Sequence, residues 1–426
     1  MREMKDSGVE WLGEVPEEWT LRQAGQLAYQ TKAPNEGMIE TNLLSLSYGK
    51  IKRRDINATD GLLPASFETY NVIEPNDIVL RFTDLQNDQK SLRVGRATER
   101  GIITSAYVTV RPLNPSYSRF IYYALHAYDL RKGFYGMGAG VRQGLKWQEA
   151  KYIKLPWPDD AERDRITDFL DEKCAEIDRA VSAAEKSIEE YRAYQGTLIK
   201  RAIICGVSSS PKMKNSGISA IGAMNANWHL AMLKRLASFL NGDRSGNYPS
   251  GEDIKDAGVP FVTSADLSAR YLSGSFSKYI SRTKYDSLKG VKLQRGDIVF
   301  CLRGSVGKCS MNRTEDCGSV ASSLAVARPT RCVPEWLNYA LSCSTTTDQA
   351  IATAIGATSA NLAVNVLEQV LVPLPSLPEQ RCIADYLDEK CAQIDAAIAA
   401  KQAIIADLKA YKQSLIFEAV TGKREV

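Results

Sequence analysis

Histidine is almost missing: the 426 residues hold two, His126 and His229, one in each half of the chain. Neither stands in a serine–histidine–aspartate or cysteine–histidine arrangement, so nucleophilic catalysis has no legible apparatus. The nine cysteines form no CxxC pair. Cys301, Cys309 and Cys317 are evenly spaced, but tetrahedral zinc sites draw their ligands from tight CxxC-like turns. The cysteines are therefore read as reduced thiols of a cytoplasmic protein, and no metal site is expected. No run approaches 18 consecutive apolar residues, which argues against a membrane span. The opening MREMKDSG lacks the apolar stretch of a secretory signal. Also missing is the Asn/Asp-Pro-Pro-aromatic tetrapeptide of the amino-methyltransferases.

Other stretches fall short of a reactive site. GFYGMGAG (133–140) follows a helical segment rather than a strand, so its amides cannot meet a cofactor at a helix start, and it reads as a flexible loop. RGSVGKCS (303–310) has two residues between its glycines where a phosphate loop has four, and Cys309 follows its lysine. It reads as a strand-to-strand turn that offers Arg303, Ser305 and Lys308 to phosphates or base edges. The DEK triplets at 171–173 and 388–390 lie in helical segments, where consecutive residues point to different faces. They read as solvated helix surface. No catalytic residue is assigned.

What the chain does have is repetition. FLDEKCAEIDRAV from Phe169 returns as YLDEKCAQIDAAI from Tyr386, 217 residues later. In the first copy, apolar or small residues step by four and three through Ile166, Leu170, Cys174, Ile177, Val181, Ala184, Ile188, Tyr191, Leu198, Ala202 and Cys205. The second copy runs Ile383, Leu387, Cys391, Ile394, Ile398, Ile405, Leu408, Leu415 and Ala419. A period of 3.5 residues held over several heptads is a coiled-coil seam. The expected helix–helix interface is Ile166, Leu170, Ile177, Val181, Ile188 and Leu198 with Ile383, Leu387, Ile394, Ile398, Ile405, Leu408 and Leu415. Gln195 and Lys412 put a polar residue at one matching seam position, a device that costs stability but can fix register.

The repeat continues upstream. Trp19 pairs with Trp228 at an offset of 209, NDIVL with GDIVF, TSAYVTVRP with ASSLAVARP, and KLPWP with LVPLP. Each half is expected to hold a strand-rich globular region followed by a long helix: residues 1–158 and 159–207, then 208–375 and 376–426. The runs NLLSLSYGKI, NDIVLRF and IITSAYVTVRP read as strands, as do PFVTSADL, GDIVFCLRG and SVASSLAVARP. One helix follows in each half, SRFIYYALHAY and PEWLNYALSC. The expected class is α+β with twisted, mostly antiparallel sheets. Charge is divided too. Residues 162–190 carry −5 and residues 379–410 carry −2 of a net +4, which leaves +11 elsewhere. Acidic helices with basic globular regions suit a scaffold that holds two domains against a polyanion.

With these residues in place, the chain resembles the specificity subunits of type I restriction-modification enzymes over essentially its whole length. VPLPSLPEQRCIADYLDEKCAQID carries the resemblance most sharply, since a PLPxLPEQxxI run leading into a long helix is typical of the family. The GDIVF…GSVGK and GATSANL segments fit as well, while the first half has Glu162-Arg163 in place of Glu379-Gln380. The resemblance implies a non-catalytic reader of double-stranded DNA, with one recognition domain per half of a split, asymmetric target. It implies two antiparallel helices that space the domains about a pseudo-two-fold axis. It also implies two docked modification (methyltransferase) subunits, then restriction subunits. S-adenosylmethionine, ATP and magnesium would sit on those partners and not on this chain. A scaffold that joins two binding domains without reading sequence is the alternative.

The candidate DNA contacts are basic and polar loop residues. In the first region they are Lys50, Lys52, Arg53, Arg54, Arg81, Thr83, Arg93, Arg96, Arg142 and Gln143. In the second they are Arg244, Ser245, Arg303, Ser305, Lys308, Thr358, Ser359 and Asn361. Arginine and glutamine can pair bidentately with base edges, whereas lysine mostly holds phosphate.

Overall fold

The computed structural model describes residues 2–426 except 58–63, 65, 86, 89, 138–143, 244, 246, 316–317 and 355–361. Two long helices, Asp160–Cys205 and Leu377–Val420, run for 46 and 44 residues. Each opens after a proline-bearing strand, Lys154–Trp157 or Leu371–Leu374, with acidic residues in its first turn to complement the helix dipole. Gly206 at φ 84° takes the left-handed conformation just past the end of the first.

The chain compacts into two units, Met1–Glu185 with Gln402–Val426, and Lys186–Lys401. The division differs from the one expected at the helix boundaries. It cuts both long helices near their middles, so each unit takes one globular region and a half of each helix. The physical reason is that each globular region packs on the helix halves nearest to it in the fold.

In the first unit a four-stranded antiparallel sheet is ordered Ala28–Thr31, Val108–Pro112, Ile78–Leu80, Val94–Arg96. The central strand is apolar on both sides, and Ile78, Val79 and Leu80 are all fully buried. Val79 packs with Leu44, Leu46, Ile73 and Ile103. Helix Ser118–Leu130 buries Phe120, Ile121, Ala124 and Leu125. NLLSLSYGKI is not one strand. It is the hairpin Leu44–Ser47 with Lys50–Arg53, turned at Tyr48 (φ 46°) and Gly49 (φ 77°), because two successive left-handed residues match a tight hairpin turn to the strand twist.

In the second unit the sheet repeats in the same order: Ala237–Asn241, Leu324–Pro329, Ile298–Cys301, Cys309–Met311. Alternation along Ile298–Cys301 sorts two cores. Ile298 and Phe300 join Trp336, Leu337 and Ala340 of helix Pro334–Ser342, whereas Val299 and Cys301 face Phe261, Val262 and Val320. A second small sheet adds one parallel pair, Val259–Val262 with Ser319–Val320.

One turn is written twice. Asn76 (φ 77°) and Gly296 (φ 86°) open the central strands. Each is followed by a buried aspartate gripped bidentately by an arginine from the neighbouring strand. Arg111 holds Asp77 at 2.8 Å through both Nε and Nη2, and Arg328 holds Asp297 in the same way. The second oxygen of each carboxylate also takes a backbone amide three residues earlier, from Glu74 or Gln294, at 2.8 Å. Turn signal and ion pair are thus one device.

Candidate nucleic-acid interface

Each globular region is seated on its long helix by contacts that repeat residue for residue. Trp19 donates its indole proton to Glu162 at 2.8 Å, and Trp228 donates to Glu379 at 3.2 Å. Arg163 donates to the Pro158 carbonyl at 2.8 Å, and Gln380 donates to Pro375 at 2.9 Å. The Arg163/Gln380 difference therefore leaves the contact intact. Arg163 also stacks on Trp157, its guanidinium 4.2 Å from the ring centroid. Tyr123 donates to Asp171 at 2.6 Å, and Tyr339 to Asp388 at 2.7 Å. Tyr271 adds a bond to Asp388 at 2.8 Å, while Arg119 bonds Asp171 at 2.8 Å. The DEK triplets are thus not wholly solvated surface, because their first residue anchors the domain.

The expected seam is largely buried. Ile166, Leu170, Ile177, Val181, Ile188, Ile383, Leu387, Ile394, Ile398, Ile405 and Leu415 are closed to solvent, and Leu198 and Leu408 are half-buried. Ile383 and Leu387 belong to the core of the second globular region along with Trp336. These early turns serve the domain seat as well as the seam.

Polar contacts give the helix direction inside each unit. In the first, Lys412 meets Asp178 at 2.8 Å and Lys409 meets Glu185 at 3.4 Å. One number rises as the other falls, so the helix halves are antiparallel. In the second, Gln195 donates to Asp395 at 2.8 Å, and the Lys401 ammonium lies 6.0 Å from the centroid of the Tyr191 ring. The matched polar seam residues Gln195 and Lys412 therefore each meet a matched aspartate.

The candidate contacts fare unequally. Lys52 and Arg54 are exposed on and beside the hairpin, and Tyr48 at its tip is 72% exposed. Lys50 is spent on Asp178, and Arg53 is held by Glu99 at 2.8–2.9 Å. Arg81 pairs with Asp88 at 3.2 Å, and Arg96 donates to Asn76 at 3.0 Å. Thr83 offers its carbonyl to Arg93 at 2.8 Å. Arg93 is 0% exposed, so it touches no DNA: its guanidinium is fully engaged with the carbonyls of the loop that precedes it. In the second unit Arg303, Ser305 and Lys308 are exposed on the turn between Ile298–Cys301 and Cys309–Met311, as expected of a strand-to-strand turn. The Ser245 amide is taken up by Asp243 at 2.7 Å. Arg142, Gln143, Arg244, Thr358, Ser359 and Asn361 lie outside the described residues.

A cavity of about 510 Å³ opens in the first unit beside the hairpin, lined by Tyr48, Lys50, Tyr122, His126, Asp178 and Lys412 among others. His126 stacks on Tyr122, and burial reinforced by the Lys412 charge pushes its imidazole down to about 4. Three residues away, burial pushes Asp129 up to about 6. Neither shift was legible in the sequence, because nothing there says which side chains the sheet and helices enclose.

Residues 227–410 match the type I restriction modification DNA specificity domain. The MjaVIII specificity subunit of Methanocaldococcus jannaschii is 20% identical over 97% of this chain and 94% of its own length. A chain from a solved type I R-M system shares the fold with a TM-score of 0.66, over 96% of this chain and 99% of that one, at 16% identity. The chain is thus similar to the type I specificity subunits, in fold along nearly its whole length and in sequence most clearly over its second half. A second relative of that class, the EcoBI specificity subunit of Escherichia coli, is 40% identical over 63 residues, 15% of this chain and 13% of its own. Among the described residues, no helix is long and apolar enough to cross a membrane.

Proposed function

We infer that this chain is a specificity subunit that reads a split, asymmetric DNA target, one half with each globular region, and brings modification and restriction subunits to it. The observation that carries the reading is the duplicated seat. The same tryptophan–glutamate, side chain–proline carbonyl and tyrosine–aspartate contacts hold each globular region to its long helix. Two regions mounted identically present equivalent edges, while their loops differ, which suits two half-sites of different sequence. Acidic helices leave the positive balance to the globular regions, where phosphate is met.

On this reading the chain performs no chemistry. Methyl transfer, with S-adenosylmethionine, belongs to two docked modification subunits, and ATP-driven work with magnesium belongs to restriction subunits. Two measurements test this. Calorimetric titration of the chain with S-adenosylmethionine is expected to be flat, and a stoichiometric isotherm would contradict it. Hydroxyl-radical footprinting on duplex DNA enriched from a random pool is expected to show two separate protected patches. Uniform protection without preferred sites would favour a scaffold that does not read sequence.

A further inference from the structure

Each unit has its own four-stranded sheet with the same strand order, but one connection differs sharply in length. Between the third and fourth strands of the first unit lie residues 81–93. The matching connection of the second is residues 302–308, a short turn with Gly304 at φ 79° and Gly307 at φ 91°. That turn is closed partly on itself, Ser305 donating to the Arg303 carbonyl at 3.1 Å and Lys308 to Ser305 at 3.2 Å, while the Leu302 amide donates to Ser323 and its carbonyl accepts from Leu362. The longer loop must find partners for its carbonyls, and its only large buried cation among the described residues is Arg93.

Arg93 runs back beneath the loop. Nη1 donates to the carbonyls of Arg81 at 3.2 Å and Thr83 at 2.8 Å. Nη2 donates to Asp84 at 3.2 Å and to Asp88, and Nε donates to the Tyr135 hydroxyl at 3.1 Å. Its backbone amide is fixed by buried Asp129 at 2.6 Å. One planar fork thus ties four carbonyls spread over eight residues, and holds the turn at Asp84, which sits at φ 58°. Lysine cannot imitate this, since a single ammonium projects three donors from one point. With its carbonyls drawn inward, the loop leaves Asn87 and Lys90 exposed. Asparagine suits an adenine edge and lysine a phosphate.

We propose that Arg93 is a positioning residue for DNA reading: it shapes the Arg81–Leu92 loop, and that loop selects bases of the half-site belonging to the first globular region. The inference rests on the proposed function, since it presumes that the two regions read separate half-sites. It explains why the duplicated sheet departs from itself at this connection. It also turns a basic residue with no access to DNA into one on which access depends.

The test is selection of bound sequences from a random duplex library by the intact chain, comparing the parent with Arg93→Lys and Tyr135→Phe. The parent is expected to enrich a two-part motif. Arg93→Lys should flatten base preference in one half-site, leave the other unchanged, and bind the parent's motif at least tenfold more weakly. Tyr135→Phe, which removes one bond from the fork, should weaken the same half-site to a smaller degree. A merely structural role would lower the bound fraction without blurring one half-site alone. Retention of both half-sites by Arg93→Lys, or equal loss of both, overturns the proposal. If Arg93→Lys does not fold, Tyr135→Phe decides: an unchanged motif overturns the proposal and a one-sided change supports it. A parent that selects no sequence would instead refute the DNA-reading function itself.

Discussion

The Tyr339 hydroxyl donates to Asp388 at 2.7 Å, and Tyr123 makes the same contact with Asp171 at 2.6 Å, 217 residues earlier on the helix side. Burial first, and then the neighbouring carboxylate, push both phenols well above the ordinary tyrosine range, so both stay protonated donors. A hydrogen bond to a charged group contributes about 1.5–3 kcal/mol. Tyr339→Phe should therefore lower the stability of the second unit by about 2 kcal/mol, read as a fall in the urea midpoint. Asp388→Ala should cost more, because Tyr271 and Tyr339 both lose their acceptor. A midpoint unchanged in both variants would show that the anchor is ornamental.

The buried pair His126 and Asp129 should oppose each other in acid. The histidine, lowered to about 4 from 6.5, contributes stability that is complete above pH 6.5 and lost as pH falls towards 4. The aspartate, raised to about 6 from 3.8, does the reverse: its burial costs stability above pH 6, and that cost vanishes as pH falls towards 3.8. Each shift corresponds to about 3 kcal/mol. The two nearly cancel between pH 6 and pH 4. His126→Phe removes one side of the balance, so its stability relative to the parent should improve by about 3 kcal/mol between pH 7 and pH 4. A difference between variant and parent that does not move with pH would contradict this.

Much of this was legible beforehand, and the reasons are physical. A 3.5-residue period is a property of sequence alone, so both long helices and their seam could be read. Short β-branched runs marked the strands around Ile78 and Ile298. Side-chain destinations were less accessible. Arg93 has the composition of a DNA contact, and only the path of its loop shows that it faces inward. Asp171 and Asp388 have the composition of solvated charge, and only the packing of helices Ser118–Leu130 and Pro334–Ser342 brings tyrosines to them. One signal could have found them: Tyr123 and Tyr339 recur at nearly the offset of the two aspartates. The Tyr48–Gly49 turn was marked only by Gly49 and a shift of phase: apolar residues fall at 44, 46 and 48, then Lys50 stands where the next is due and Ile51 comes one place late.

The matched polar pairs of the seam predict that the two halves are exchangeable. Gln195 meets Asp395, and Lys412 meets Asp178, so each polar seam residue has an aspartate partner at the equivalent position. In two copies of residues 1–207, Gln195 of one would face Asp178 of the other, a pairing of the same kind. The fragment should dimerise and, with a modification subunit, methylate an interrupted palindrome built from the first half-site, because a true two-fold axis demands identical half-sites. Ultracentrifugation and sequencing of modified DNA check this, and a monomer or an asymmetric motif would show that the halves are not interchangeable.

The unit boundaries at 185/186 and 401/402 give a place to lengthen the helices. Four residues inserted after Ala184 and four after Lys401 add about 6 Å to each helix and keep the apolar seam nearly in phase. The spacer between half-sites should grow by a base pair or more with both half-site sequences unchanged. An unchanged spacer would remove the helices from any role in setting it.

The central claim is that one chain reads two half-sites with two regions, and altering one region while sparing the other tests it most directly. Arg303→Ala with Lys308→Ala alters the exposed turn of the second unit and leaves the first untouched. Sequences selected from a random duplex library by parent and variant should agree in one half of a two-part motif and differ or blur in the other, with the same spacer between. A continuous motif, or a change that spreads over both halves, would contradict the reading.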